Sequence, residues 1–398
     1  MYKAFNNLRL NLHHFIPSHL VICAMGWFDD FKQATNVGMQ MATQAPSVAL
    51  DVVTNVATHP EGPVGAFKDP QNTIVKPIMQ NSPVTNSFES QPGEMRKRVS
   101  RADWMRDRRS RLDSKRIDEI VLPGTHDSGT YDLSLRSSPD APPVVATLSS
   151  LPVTNERIRG WAKAQSLNFV EQLDLGVRYF DLRVGVSRND QSLRIFHSVE
   201  SNQTLREMFN TIRPWMDAHN GEIIVLHVKR AMGFAGNQAK YNELISNFND
   251  VFGSLLAPSS YFWERRTYSH YVTTNRRVIA VFDNNEDINP PSGSPDWVWK
   301  YMQCMAEGDS RIREPSSIRL HIVGDVVWSP TETPSTASEI ADYATLDLFT
   351  WGAGRHNKNA KNQLDALPLS GKGWIIPMDY PEFPDRDLMD YIVGLNGN

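Results

Sequence analysis

Two histidines stand in contexts from which an imidazole can move protons. His126 sits in the run Pro123-Gly124-Thr125-His126-Asp127-Ser128-Gly129, a tight turn that offers an imidazole and a carboxylate together, and His197 closes the segment LRIFH. Between them, Asp181 and Arg183 are two residues apart, a spacing that puts both on one face of a strand. Lys229 and Asp379 each close a later β-rich run. Two imidazoles, several carboxylates and two cations suit phosphodiester cleavage. One imidazole takes a proton from an attacking hydroxyl, the other protonates the leaving oxygen, and a guanidinium stabilises charge on the phosphate. Histidine suits both transfers because its unperturbed pKa, about 6.5, lies near working pH. A carboxylate behind each ring fixes its tautomer.

These residues are far apart in sequence, so the fold must gather them. Short β-rich runs alternate with helical stretches from about residue 100, the pattern of parallel strands joined by crossover helices. Strands are expected over 117–123, 177–184, 193–196, 222–229, 276–283, 319–325 and 373–379. Helices are expected in SLNFVEQLDLG, TLREMFNTIRPWMDAH and KYNELISNFNDVFGSLL. The fold class is therefore α/β, an irregular (β/α)8 TIM-type barrel whose reactive side chains collect at the carboxyl ends of the strands. Closure sets the last strand beside the first, within reach for Asp379 to hold His126. A doubly wound open sheet is the alternative, but no Gly-rich phosphate loop follows the first strand.

Residues 1–99 differ from the rest: Gln, Asn, Thr, Ser and Pro dominate 58–95, which reads as a largely disordered leader, with short amphipathic helices possible over 26–57. The chain of 398 residues is 40% hydrophobic and 22% charged, enough for a large core, and its formal charge of −4 supplies no basic footprint for nucleic acid. No run of 18 apolar residues is present, so no ordinary membrane-spanning helix is expected. The two cysteines, Cys23 and Cys304, form neither a disulfide framework nor a metal cluster.

The stretch LPGTHDSGTY, followed by WAKAQSLNFVEQLDLGVRYFDLRV, LRIFHS, NGEIIVLHVK and GWIIPMDYPEFPDRDLMDYIVGLN, resembles the X domain of phosphatidylinositol-specific phospholipases C over about residues 100–396. It is most similar to the bacterial and X-domain-only members. The resemblance implies a catalytic barrel over residues 100–398. Within it, His126 would be the general base held by Asp379, His197 the general acid paired with Asp127, and Arg183 the phosphate-binding arginine beside Asp181. It also implies a phospholipid substrate at a membrane surface. In calcium-dependent relatives the position of Arg183 is a carboxylate that ligates the ion. A guanidinium there removes a ligand and repels a divalent cation, so no metal and no cofactor are expected. Lys229 and Asp325 fall where the bacterial enzymes hold the inositol ring. Ala231, Asp283 and Val327 depart from that pattern and leave the head group open.

Blander readings stand beside these. Asp181 and Arg183 can form an inward salt bridge that only rigidifies a barrel. His219 and His227 read as a helix-end cap and a strand-face residue, and Trp328, Trp351 and Trp374 as core or rim aromatics. The basic run over 101–116 reads as a solvated helix face or a contact for anionic lipid. Two other functions share the composition: a metal-dependent glycerophosphodiester-type phosphodiesterase, and a phospholipid-binding barrel without turnover.

Overall fold

The computed structural model describes residues 101–141, 158–160, 162–261, 266–283, 288, 290–308, 320–323, 360–361, 364–365, 373–382 and 387–397. The leader, Asp325, Val327, Trp328 and Trp351 lie outside them. Every described residue belongs to one of the two contact units into which the chain divides.

The fold is a TIM-type barrel. Its parallel strands are β1 (Leu122–Thr125), β3 (Tyr179–Val186), β6 (Ile224–Met232), β7 (Val278–Phe282), β8 (Val298–Lys300), β9 (Met305–Gly308), β10 (Leu320–Val323) and β11 (Trp374–Met378). They lie in the order β9-β10-β11-β1-β3-β6-β7-β8, and among the described residues no pairing joins β8 to β9. Beside β3 hangs an antiparallel flap of β4 (Leu193–His197), β5 (Val199–Thr204) and β2 (Leu133–Ser137).

Two of the expected strands need correction. The apolar run over 117–123 opens instead as a 3-10 turn, Ile117–Glu119, in which Glu119 accepts from the Arg116 backbone N–H at 2.8 Å, and the strand starts only at Leu122. The third expected strand is no barrel strand. Its link to β3 runs only from Ser187 to Ser192, whereas a parallel crossover needs about a dozen residues or more, so β4 folds back antiparallel.

Strand parity separates two cores. Leu122, Tyr179, Val225, Ile279, Val281, Trp299 and Ile375 pack in one cluster inside the barrel. Phe180, Leu182, Leu226, Val228, Ala280 and Ile376 alternate with them and pack outward. That outer face is covered by α1 (Phe169–Leu175), α2 (Leu205–Ala218), α3 (Gln238–Phe252) and α5 (Asp387–Gly394), which follows the short α4 (Tyr268–Thr273). Asn168 and Thr204 cap α1 and α2, each reciprocated by a glutamate three residues on, Glu171 and Glu207. Gly124 is required by packing, since a Cβ there would meet Tyr179 Cδ1 at 2.8 Å.

The amino-terminal end of the barrel is closed by Trp104, Met105 and Leu112, which join the interior cluster. Beneath them Arg178 and Glu222, both fully buried, pair at 2.6 Å, and the guanidinium stacks over Trp215 at 5.0 Å. The basic run over 101–116 is therefore part of the barrel floor. Arg106 and Arg109 lie on Asp103 and Asp113, at 3.0 and 3.2 Å.

Candidate active site at the carboxyl-terminal mouth

The alternation that sends Tyr179 inward carries Asp181 and Arg183 to the same side, and parallel registration aligns the ends of β1 and β11 beside them. The His126 backbone N–H donates to the Met378 carbonyl at 3.0 Å, latching the two strand ends. Across that latch His126 Nδ1 lies 2.9 Å from Asp379 Oδ1. On the ring's other side, Arg183 Nη2 lies 3.0 Å from His126 Nε2. A guanidinium only donates, so Nε2 presents its lone pair and Nδ1 carries the hydrogen that Asp379 accepts. Burial holds the His126 pKa well below 6.5; Asp127 pulls it up, while Arg183, Lys229 and His197 lower it further. Burial, reinforced by the charge of Asp127, raises the Asp379 carboxyl well above the usual range.

Asp127 is the hub. Its carboxylate has no exposure, and it ion-pairs through Oδ1 with Arg183 Nε, while Oδ2 lies 3.4 Å from His126 Nε2 and 3.5 Å from His197 Nδ1. Burial pushes this carboxyl up, but the cation Arg183 and the two imidazoles outweigh it and hold the pKa at about 2. The His197 ring is fixed more closely by Ala162, whose carbonyl accepts from Nδ1 at 2.8 Å. Nε2 is thereby left for another partner. His197 comes to the mouth from the antiparallel flap, not from the end of a barrel strand.

Lys229 Nζ stands 3.7 Å from Asp181 Oδ2. Burial raises the Asp181 pKa and Lys229 partly offsets it. A β-bulge reshapes the wall here: Leu182 registers with Val228 but Arg183 registers with Arg230, so Lys229 is the extra residue. The bulge also flips Ala231, which registers with Val184 and packs in the outer core. Its lack of a carboxylate therefore says nothing about the mouth. Asp283, half-buried, follows β7 and donates its backbone N–H to Val228 at 3.0 Å.

Two features escape a reading by residue type. Each of His126, His197 and Asp379 is followed by a non-glycine residue with positive φ: Asp127 at 44°, Ser198 at 60° and Tyr380 at 46°. Such strain costs about 1–3 kcal/mol per residue and persists where surroundings over-determine it. Part of those surroundings is the segment Ala162–Gln165. Ala162 holds His197, Ala164 accepts from the Tyr380 N–H at 3.1 Å, and the buried Gln165 Nε2 donates to the His126 and Met378 carbonyls at 2.7 and 2.8 Å. Its sequence, Ala162-Lys163-Ala164-Gln165, carries no signal strong enough to single it out.

With this geometry in view, relatives can be compared. No family model matches the chain. It is 28% identical over 197 residues to the human protein named PI-PLC X domain-containing protein 1, a stretch covering 48% of this chain and 59% of that one. It is 30% identical over 164 residues to the zebrafish (Danio rerio) protein of the same name, covering 40% and 52%. By these likenesses the chain resembles the phosphatidylinositol-specific phospholipase C X-domain family. It spans about half the length of the curated relatives it matches. A phosphatidylinositol-specific phospholipase C from Listeria monocytogenes shares the fold, with a TM-score of 0.50, 17% identity and coverage of 75% of this chain and all of that one.

Within this barrel, His126, Asp127 and Asp181 offer ligand atoms that all lie within 4.8 Å of one another, close enough to be tested as a metal site. They do not fit one. Arg183 already lies against both His126 and Asp127, and Lys229 faces Asp181. A hard divalent cation there would meet two fixed positive charges, Arg183 and Lys229, beside the three side-chain ligands that the described residues offer.

Other residues singled out by type take structural places in the barrel. His219 caps the end of α2, stacks on Trp215 at 4.2 Å and lies 3.0 Å from Asp103 Oδ1. His227 is buried inside the barrel with Nδ1 2.7 Å from the Tyr179 hydroxyl, and Trp374 is buried in β11. Among the described residues no helix is long and apolar enough to cross a membrane.

Proposed function

We propose that the site cleaves the phosphodiester of a phosphatidylinositol-type phospholipid without a metal ion, releasing diacylglycerol and a cyclic inositol phosphate. The observation that carries this reading is the convergence of His126, His197 and Arg183 on one buried carboxylate, Asp127. A bound phosphate competes with His126 Nε2 for the Arg183 Nη2 donor and so frees the imidazole lone pair. His126 Nε2 then accepts the proton of the inositol 2-hydroxyl as its oxygen bonds to phosphorus. Asp379 stabilises the imidazolium that results. The bond from phosphorus to the glycerol oxygen breaks as His197 Nε2 delivers a proton to that oxygen. Arg183, fixed by Asp127, neutralises the charge that builds on the non-bridging oxygens.

Asp181 Oδ1 makes no hydrogen bond among the described residues although it is buried, which leaves an acceptor for a substrate hydroxyl. Lys229 beside it supplies a donor, and Asp325 is assigned to the head group by family likeness alone. The domain reading, a catalytic barrel over residues 100–398 behind a separate leader, accords with the placement of every site residue after residue 100. Release of diacylglycerol from vesicles of differing head group, in excess chelator and with phosphorus NMR of the water-soluble product, tests the proposal. Cleavage of phosphatidylinositol to a cyclic phosphate is expected. Vesicle binding with no cleavage of any head group would replace the proposal with a lipid-binding role.

A further inference from the structure

The His197 ring protrudes from a hairpin that reverses over a single residue. His197 registers with Val199 across β4 and β5, and Ser198 between them is the tip, with φ of 60°. An L-residue in that conformation needs outside restraint. Both sides of the tip residue are gripped by the segment after β2. The Ser198 N–H donates to the Asp140 carboxylate, at 3.2 Å to Oδ1 and 3.1 Å to Oδ2, and the Ser198 carbonyl accepts from the Ser138 N–H at 3.1 Å. The clamp is itself tied together, since Ser138 Oγ donates to Asp140 Oδ1 and the Ala141 N–H donates to the Ser138 carbonyl at 3.1 Å. Asp140 also acts electrostatically on Arg183, where its charge adds to those of Asp127 and Asp181.

We infer that Asp140 is a positioning residue for proton delivery by His197. The inference rests on the reading of His197 as general acid. A carboxylate accepting a main-chain N–H at a hairpin tip is a charge-assisted bond, stronger than a neutral one. Here it fixes the peptide from which the His197 Cα departs, while Ala162 fixes the ring's rotation through Nδ1. Those two restraints together aim Nε2 at the leaving oxygen. Without Asp140 the strained tip relaxes and the ring loses its aim, though His126 and Asp127 keep their places in the turn after β1 and Arg183 its place on β3.

Leaving-group chemistry separates this role from a merely structural one. A glycerol oxygen departs from phosphorus only when protonated, whereas a nitrophenolate departs unaided. The wild type, Asp140→Ala, Asp140→Asn and His197→Ala are assayed on phosphatidylinositol and on the 4-nitrophenyl ester of inositol phosphate, with thermal unfolding of each recorded. On phosphatidylinositol the kcat of Asp140→Ala is expected to fall about tenfold or more, and on the aryl ester to stay within about threefold of the wild type. Asp140→Asn, which keeps a neutral acceptor for Ser198, should lie between, and it carries the test if the alanine variant does not fold. Equal losses on both substrates, or none on phosphatidylinositol, overturn the role of Asp140. If His197→Ala itself lacks the leaving-group dependence, the assignment of His197 as general acid fails, and the inference fails with it.

Discussion

Three cationic or protonatable groups compete for the two oxygens of Asp127, and the outcome of that competition sets the chemistry of the site. The guanidinium of Arg183 holds one oxygen through Nε and, through Nη2, forces His126 to present a lone pair at Nε2. It follows that His126 rests neutral, in agreement with the depression of its pKa by burial and, secondarily, by Arg183. In Arg183→Ala the His126 imidazole should therefore titrate at a higher pH than in the wild type, by nitrogen-resolved NMR; an unchanged titration would mean that the guanidinium does not face the ring. Replacing either histidine by alanine should lower kcat on phosphatidylinositol by about 10²-fold or more, the usual worth of a positioned acid or base. His126 and Arg183 were legible from their types and spacing, as the turn after β1 and the two-residue period of β3 demand. The grip of Ala162 on His197 was not, because a backbone carbonyl carries no signature in the sequence.

Elements hold these groups by main-chain latches more than by side-chain pairs. β1 and β11 are joined at the mouth by the His126 N–H and braced by Gln165, whose amide spans both strand ends. Gln165→Leu, of similar volume, removes one donor from each of those carbonyls, although that of Met378 keeps the His126 N–H, and the loss costs about 1–3 kcal/mol. A reduced kcat with little change in KM is expected, and wild-type kinetics would show that the brace is dispensable. At the floor, the Arg178–Glu222 pair is fully buried, so Glu222→Ala strands a cation there and should destabilise by about 3–5 kcal/mol in denaturant unfolding. A loss below about 1 kcal/mol would show that water reaches the pair. The helices α1 to α3 were readable from their helical stretches between β-rich runs. The flap was less so. An apolar segment reads alike as a parallel or an antiparallel strand, and only the short link over Ser187–Ser192 tells them apart.

Across the whole molecule, the mouth gathers charge while the floor supplies stability, and pH acts on the two differently. Asp127 has a depressed pKa, about 2 against 3.8, because burial, which raises it, is outweighed by Arg183, His126, His197 and Lys229 acting together. Its stabilisation is therefore present above about pH 4 and is lost as pH falls towards 2, a difference on the order of 2 kcal/mol. His126, depressed by burial, adds an earlier loss, since the unfolded chain takes up a proton below about pH 6.5 that the folded imidazole resists. Asp379 acts in the opposite sense, as its raised carboxyl favours the folded state when protonated. Denaturant unfolding followed from pH 7 to 2 should show a loss of stability below pH 4 that shrinks in Arg183→Met; an equal loss in both would mean that Asp127 is not paired. The barrel itself was legible from alternating β and α runs, but the lack of pairing between β8 and β9 among the described residues was not. Arg183 is proposed to neutralise the phosphate in place of a metal ion, and the turnover of phosphatidylinositol vesicles in excess chelator tests that most directly. The wild type should keep its full rate there, and Arg183→Ala should be slower by about 10²–10³-fold; a wild-type rate that vanishes in chelator and returns with calcium, or an Arg183→Ala rate near that of the wild type, would contradict it.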